Sequence, residues 1–204
     1  TFAPSAKVIH IDIDPAEVNK NRRVDLAIVS DVTKALSKIN EKFFINKTSC
    51  NTKNWLEKIN FWKTKHPLFV PPEEGEIYPQ EVLMKVRDFS PEAFITTDVG
   101  QHQMWAAQYL RNAPRRWISS AGLGTMGYGL PAAMGVKTAL PNAEVICIAG
   151  DASVLMNIQE LGTLSQYGLK IKVVIINNRW QGMVRQWQES FYDERYSSSD
   201  MSCG

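Results

Sequence analysis

Gly150-Asp151-Ala152-Ser153 and Asn177-Asn178 each follow an apolar run, and 24 residues, Ser153 to Ile176, separate the Gly-Asp-Ala triplet from the Asn pair. The Asp151 carboxylate is a hard oxygen ligand. The Asn178 amide offers a neutral oxygen, and the main-chain carbonyl of Trp180 offers a third. A few protein oxygens of this kind suit a magnesium ion that takes its remaining ligands from phosphate. The N–H groups of Ala152 and Ser153 open a helix, and a helix start favours phosphate oxygens. Asp151 alone would repel such a group, so a cation between them resolves the conflict. Singly, these residues also read as a helix cap and an Asn turn. Their joint spacing favours a metal–diphosphate clamp.

The elements that must position this clamp follow from periodicity. Lys7–Ile13 alternates and is rich in β-branched residues, so it reads as a strand. Asp14-Pro15 starts a turn or short helix. Leu26–Val29 is a second strand, and Asp31 caps a helix over about Val32–Phe44, with apolar residues at Val32, Leu36, Ile39 and Phe43. Trp55, Ile59 and Trp62 mark another helix, and Pro67–Gly75 reads as a linker, with a domain boundary near residues 66–76. Beyond it, helices are expected over Pro79–Phe89, Gln101–Leu110, a stretch ending at Ala139, Met156–Tyr167 and Trp180–Gln188. Strands are expected at Phe94–Val99, Glu144–Ala149 and Lys172–Asn177. Alternation of helices with continuous apolar strands indicates an α/β fold, a parallel sheet flanked by helices. In such sheets ligands lie beyond the carboxyl ends of strands, where strand order reverses. Asp98–Gln101, Gly150–Ser153 and Asn177-Asn178 all fall at such ends.

Composition narrows the classes. The 204 residues are 44% hydrophobic and 22% charged, which suits a globular chain with one sizeable core or parts of two. A formal net charge of +2 gives no electrostatic case for nucleic acid, and the Arg22-Arg23 and Arg115-Arg116 pairs read as solvated surface. Cys50, Cys147 and Cys203 are widely spaced, and Cys147 sits in an apolar run, so a reducing compartment is expected. No apolar run is long enough to cross a membrane, and no signal-peptide pattern is visible. The absence of an initiator Met and the polar ending point to an internal piece of a longer protein. The three histidines, His10, His66 and His102, make no metal cluster by spacing. Gly122–Gly127 matches G-x-G-x-x-G, but with at most a very short strand before it and no acid about 20 residues on, so the match is weak. Its glycines rather let backbone approach a flat ring. Met126 reads either as a core methionine or as a polarizable prop for a heterocycle.

The Gly-Asp-Ala to Asn-Asn spacing resembles the signature of thiamine-diphosphate enzymes. Three further segments, Gly100–Trp105, Gly124–Pro131 and Gln181–Gln188, make the chain resemble the catalytic subunits of the acetolactate synthase (acetohydroxyacid synthase) family over nearly its whole length. The resemblance is weakest at residues 40–70. It implies a thiamine-diphosphate-binding fold over residues 76–204, cut short before its end. Residues 46–75 become a linker with a helix, and residues 1–45 the end of a Rossmann-like central domain of the kind that binds FAD.

The resemblance also implies roles. Asp151, Asn178 and Trp180 would hold Mg2+. Gln101, His102, Gly150, Ala152, Ser153 and Met183 would line thiamine diphosphate, and Met126 would support its bent form. Met183 and Trp187 would shape the second-substrate pocket, with Trp187 favouring an ethyl over a methyl group by about 1–3 kcal/mol. Asp12, Ile13, Asp31 and Val32 would contact the adenosine end of FAD, where an acid at a strand end accepts ribose hydroxyls. The implied reaction decarboxylates pyruvate and passes the two-carbon unit to a second 2-keto acid, pyruvate or 2-ketobutyrate, in branched-chain amino acid biosynthesis.

Implied partners are these small 2-keto acids, a second catalytic subunit in a homodimer or higher oligomer, and a regulatory small subunit. Neither nucleic acid nor a membrane is expected. The implied compartment is a bacterial cytoplasm or a plastid stroma. In the family a glutamate that activates the cofactor and a basic residue for the second keto acid lie upstream, so this chain alone is expected to be inactive. The alternatives are another thiamine-diphosphate enzyme (a pyruvate oxidase, glyoxylate carboligase or 2-keto-acid decarboxylase) and a non-catalytic α/β nucleotide-binding module. The Gln181–Gln188 segment argues against the first.

Overall fold

A computed structural model describes residues 3–46, 49–68, 75–110 and 112–202. Most of the expected Pro67–Gly75 linker, residues 69–74, and Cys203 lie outside the described residues. The chain divides into two compact units at residues 68/69.

In the first unit, β1 (Ile9–Asp12) and β2 (Leu26–Val29) pair in parallel, with Asp12 opposite Val29. A 3-10 turn, Pro15–Glu17, follows β1, and the Asp14 carboxylate caps it by accepting from the Ala16 N–H at 2.8 Å. Helix α1 (Val32–Ile45) begins at Asp31, whose carboxylate accepts from the Lys34 N–H at 3.1 Å. This satisfies one of the four donors that a helix start leaves open. Helix α2 (Lys53–Lys65) carries Trp55 and Trp62 edge to face, with ring centroids 5.7 Å apart. Among the described residues of this unit only Ala35 is buried, and of the apolar stripe of α1 Val32, Leu36 and Phe43 are exposed while Ile39 is half-buried.

The second unit holds α3 (Pro79–Phe89), β3 (Phe94–Thr97), α4 (Gln101–Tyr109), β4 (Trp117–Ser119), α5 (Gly129–Ala139), β5 (Val145–Gly150), α6 (Asp151–Leu155), α7 (Glu160–Gln166), β6 (Lys172–Ile176) and α8 (Gly182–Phe191). Its four strands run parallel in the order β4-β3-β5-β6. All six residues of β5 are buried. Because side chains alternate across a strand, β5 serves two cores. Ile146 and Ile148 join Leu83, Ile95, Ala106 and Leu110 on one face. Val145, Cys147 and Ala149 join Leu130, Ala133, Val154 and Leu164 on the other. Each large aliphatic side chain so buried contributes about 1.5–3 kcal/mol. Burial also keeps the Cys147 thiol protonated, with its pKa pushed up to about 11.

Two expectations are corrected. The helix expected over Met156–Tyr167 forms only from Glu160, as α7, and residues 156–159 are a turn that separates it from the short α6 opened at Asp151. The apolar residues on both sides of the break repeat at helical spacing, but the segment between turns so that Asn157 can donate to the Gly127 carbonyl at 2.6 Å. The helix expected from Trp180 begins two residues later, at Gly182. Arg179–Gln181 are tied instead to the C-terminal strand-like segment, with the Gln181 N–H donating to the Ser199 carbonyl at 2.8 Å and the Met201 N–H to the Arg179 carbonyl at 2.8 Å.

Candidate active site

The chain enters the sheet at β3, adds β4 on one side, and then crosses to place β5 on the other. Strand order therefore reverses between β3 and β5, where helices leaving adjacent strand ends splay apart and open a crevice. A cavity of about 370 Å³ occupies that crevice. Its wall contains Gln101, His102, Met126, Gly150, Asp151, Ala152, Ser153, Asn178, Trp180, Met183 and Trp187. These come from the start of α4, the loop before α5, the end of β5 with α6, the turn after β6, and α8.

At the β5 end, the Ser153 hydroxyl accepts from the Gly150 N–H at 3.0 Å, which fixes the first turn of α6. Helix α6 is only one turn long, so its dipole is a small attraction for an anion. The stronger demand comes from Asp151. Its Oδ2 is buried and has no hydrogen-bond partner among the described residues. An unpaired buried carboxylate oxygen is costly, and a cation relieves that cost. Nearby, Asn178 Oδ1 accepts from the Trp180 N–H at 3.0 Å and keeps a second lone pair. Among the described residues no group of three His, Cys, Asp or Glu side chains gathers to hold a metal. One carboxylate, one amide oxygen and one main-chain carbonyl nevertheless fit an ion such as Mg2+, which takes few protein ligands and relies on substrate phosphates.

His102 is 6% exposed, and its Nε2 is buried without a partner among the described residues. Burial lowers its pKa from the usual imidazole value, against the opposing pull of Asp98 and of Asp151, which favours the neutral ring. The ring lies so close to Gly150 that a Cβ there would meet Nδ1 at 2.9 Å. A glycine at this strand end is a steric requirement of the histidine beside it.

Asp98, read from the sequence only as part of the Asp98–Gln101 strand end, and Asn157, not singled out from it, also shape the site. Asp98 is 1% exposed, and its carboxylate accepts from the N–H groups of Val99 (2.8 Å), Gly127 (2.8 Å) and Gly129 (3.1 Å). Asn157, in the break between α6 and α7, holds the other side of Gly127. An acid directly after a four-residue strand was the available signal for Asp98. Nothing local marked Asn157. Trp105 and Val184 add apolar wall, and their positions one helical turn from Gln101 and within the Met183–Trp187 face are legible in hindsight.

The four residues expected at a flavin lie in the first unit. Asp12 ends β1, where its Oδ1 accepts from the Asp14 N–H at 2.9 Å and its Oδ2 is 3.6 Å from His10 Nε2. Asp31 and Val32 start α1 just beyond the neighbouring strand end, and Ile13 is 72% exposed. The structure gathers these four at one edge of the β1–β2 pair.

Residues 98–203 match the thiamine pyrophosphate enzyme C-terminal TPP binding domain, and residues 1–39 match the central domain of the same enzymes. The chain belongs to the thiamine pyrophosphate (thiamine diphosphate) enzyme family. Within it, all 204 residues align with the acetolactate synthase large subunit of Parasynechococcus marenigrum at 65% identity, covering 33% of that protein. The acetolactate synthase large subunit of Cyanidium caldarium is 55% identical over 206 aligned residues, covering all of this chain and 35% of that protein. That of Buchnera aphidicola subsp. Schizaphis graminum is 44% identical over 202, covering 98% of this chain and 35% of that protein. The chain thus spans about a third of the length of the curated relatives it matches. No helix among the described residues is long and apolar enough to cross a membrane.

Proposed function

We propose that this chain forms the cofactor-binding part of an acetolactate synthase, which decarboxylates pyruvate and transfers the two-carbon unit to a second 2-keto acid. The observation that carries this reading is the convergence of eleven expected residues on one cavity, with the unpartnered Asp151 Oδ2 in its wall. Identity of 65% to a protein named acetolactate synthase large subunit supports the choice of reaction.

Asp151 Oδ2, Asn178 Oδ1 and the Trp180 carbonyl would hold Mg2+, and with the N–H groups of Ala152 and Ser153 would supply charge neutralisation for a diphosphate. Gln101 and His102 line the same diphosphate end, beside Gly150. Met126 and Met183 present apolar, polarizable surface to the cofactor's rings. When bound, thiamine diphosphate supplies the electron sink for decarboxylation. The protein's share is orientation and a dry site: Trp105, Ile176 and Val184 exclude water around the rings. Trp187, 58% exposed at the cavity rim and packed at a tilt of 49° against Phe191 with ring centroids 5.1 Å apart, offers an apolar wall to the second keto acid.

The finer reading extends to the first unit and to the assembly. Asp12, Ile13, Asp31 and Val32 contact the adenosine end of FAD, through strand-end acids suited to ribose hydroxyls. The complete enzyme works as a homodimer or larger oligomer, with the cofactor-activating glutamate supplied by a neighbouring subunit, and takes a regulatory small subunit. Its pathway is branched-chain amino acid biosynthesis. The test is product analysis with pyruvate, Mg2+ and thiamine diphosphate in the full-length protein. Acetolactate is the expected product; acetaldehyde alone would assign a simple decarboxylase instead.

A further inference from the structure

Met126 sits in a loop, Gly122–Tyr128, with no regular secondary structure, yet its position in the cavity wall depends on that loop holding still. The loop is pinned at its next residue from two directions. The Gly127 N–H donates to Asp98 Oδ1 at 2.8 Å, and the Gly127 carbonyl accepts from Asn157 Nδ2 at 2.6 Å. Gly127 has φ +84°, a left-handed conformation that a side chain disfavours. A Cβ there would also meet Asn157 Nδ2 at 2.7 Å and Met156 Cβ at 2.8 Å. Two residues on, the Gly129 N–H donates to the other oxygen of Asp98 at 3.1 Å, and the Gly129 carbonyl accepts from the Thr96 hydroxyl at 2.8 Å. A Cβ at Gly129 would lie 2.7 Å from the Asp98 main-chain nitrogen, so the loop is held hard against β3.

The two anchors come from the elements that carry the diphosphate end of the site. Asp98 directly follows β3, three residues before Gln101, and Asn157 follows the α6 segment that begins with Asp151. Asn157 is itself steadied by the Gln159 amide, which donates to its Oδ1 at 3.2 Å. Neither anchor lines the cavity.

We infer that Asp98 and Asn157 are positioning residues: they clamp Gly127 from both sides and so fix Met126 against the heterocyclic part of the cofactor, in register with the metal–diphosphate end. This rests on the proposed cofactor site. It separates two halves of one binding event, because inorganic diphosphate with Mg2+ engages only the Asp151–Asn178 end. The complete cofactor also needs Met126 in place.

The experiment compares Asn157→Ala with the parent in the full-length protein, measuring by calorimetry the affinities for Mg2+–thiamine diphosphate and for Mg2+–inorganic diphosphate. The half-buried Asn157 makes this variant the gentler one. Losing one partly buried hydrogen bond predicts a roughly tenfold weaker hold on the cofactor, with diphosphate affinity within about twofold of the parent. Gly127→Ala, strained at its φ, is expected to show the same split more strongly. Asp98→Asn keeps one acceptor oxygen and is expected to fall between the parent and Gly127→Ala. Equal losses for both ligands would mean a general structural role and would overturn the inference, as would no loss for either. If the parent binds neither ligand, the cofactor site itself is wrong and the inference falls with it. A parent that binds both while the variants show no split overturns the inference alone.

Discussion

β1 in the first unit and β5 in the second are both parallel strands with an acid at or just beyond the carboxyl end, Asp12 and Asp151. Their surroundings differ in kind. β1 has one neighbour, and its residues are exposed or half-buried; β5 has two neighbours and is buried throughout. Asp12 satisfies itself locally, accepting from the Asp14 N–H two residues on. Asp31, beyond β2, does the same by capping α1. Asp151 Oδ2 finds no such partner. An acid at a strand end is therefore only a candidate. It becomes a demand for a ligand where packing removes water and the local backbone offers no donor.

The largest expected effect tests that contrast directly. Asp151→Ala should abolish Mg2+-dependent thiamine diphosphate binding. The loss should exceed the roughly 10–100-fold typical of residues that merely support a metal ligand, and calorimetry would measure it. Asp14→Ala, which removes the cap of the 3-10 turn, should cost about 1 kcal/mol of stability and leave that binding unchanged. Comparable losses from both would erase the distinction between the units.

The cores should respond as unequally as the acids. Ile148→Ala, at a fully buried position of β5, is expected to cost about 2–5 kcal/mol in urea unfolding. Leu36→Ala, on the exposed face of α1 at 48% accessibility, should cost less than about 1 kcal/mol. A large loss at Leu36 would show that its stripe is covered in the complete protein.

A smaller change is expected at the rim. Trp187→Leu should reduce the preference for 2-ketobutyrate over pyruvate by about 1–3 kcal/mol in relative kcat/KM, measured by competition between the two acceptors. An unchanged ratio would remove Trp187 from the substrate pocket.

The mildest test uses the two described cysteines, Cys50 exposed in the first unit and Cys147 buried in the second. Cys50 should react at once with a thiol reagent at pH 8, and Cys147 only on unfolding. The pKa of Cys147 is raised in the folded state from 9.0 to about 11. The stability linked to its proton is therefore complete below pH 9 and is lost as pH rises through about 11. Cys147→Ala should flatten that alkaline slope by up to one proton per molecule.

Much of this was legible beforehand. The apolar runs of β3, β5 and β6 announce a buried parallel sheet because strands covered on both faces cannot alternate. The Gly150–Asn178 spacing and Met126 gave residues that line one cavity. What was not legible has a common cause. The break between α6 and α7 depends on Asn157 reaching Gly127, 30 residues away in sequence. Asp98 falls at a strand end expected to face the ligand, but its clamp on the glycine loop was not legible because its partners, Gly127 and Gly129, lie about 30 residues further on. The late start of α8 likewise reflects pairing of Arg179–Gln181 with Ser199–Met201.

By itself, the sequence determined the elements and the chemistry of their ends. Period-two and helical patterns reflect only which side of a residue meets water, and the donor types of Asp151, Asn178 and the Trp180 carbonyl are properties of single residues. Tertiary structure alone decided the strand order β4-β3-β5-β6, and with it the crevice where α4, α6 and α8 converge. It also decided which acids are left without a partner. Both depend on contacts between residues far apart in the chain, and no local pattern encodes them.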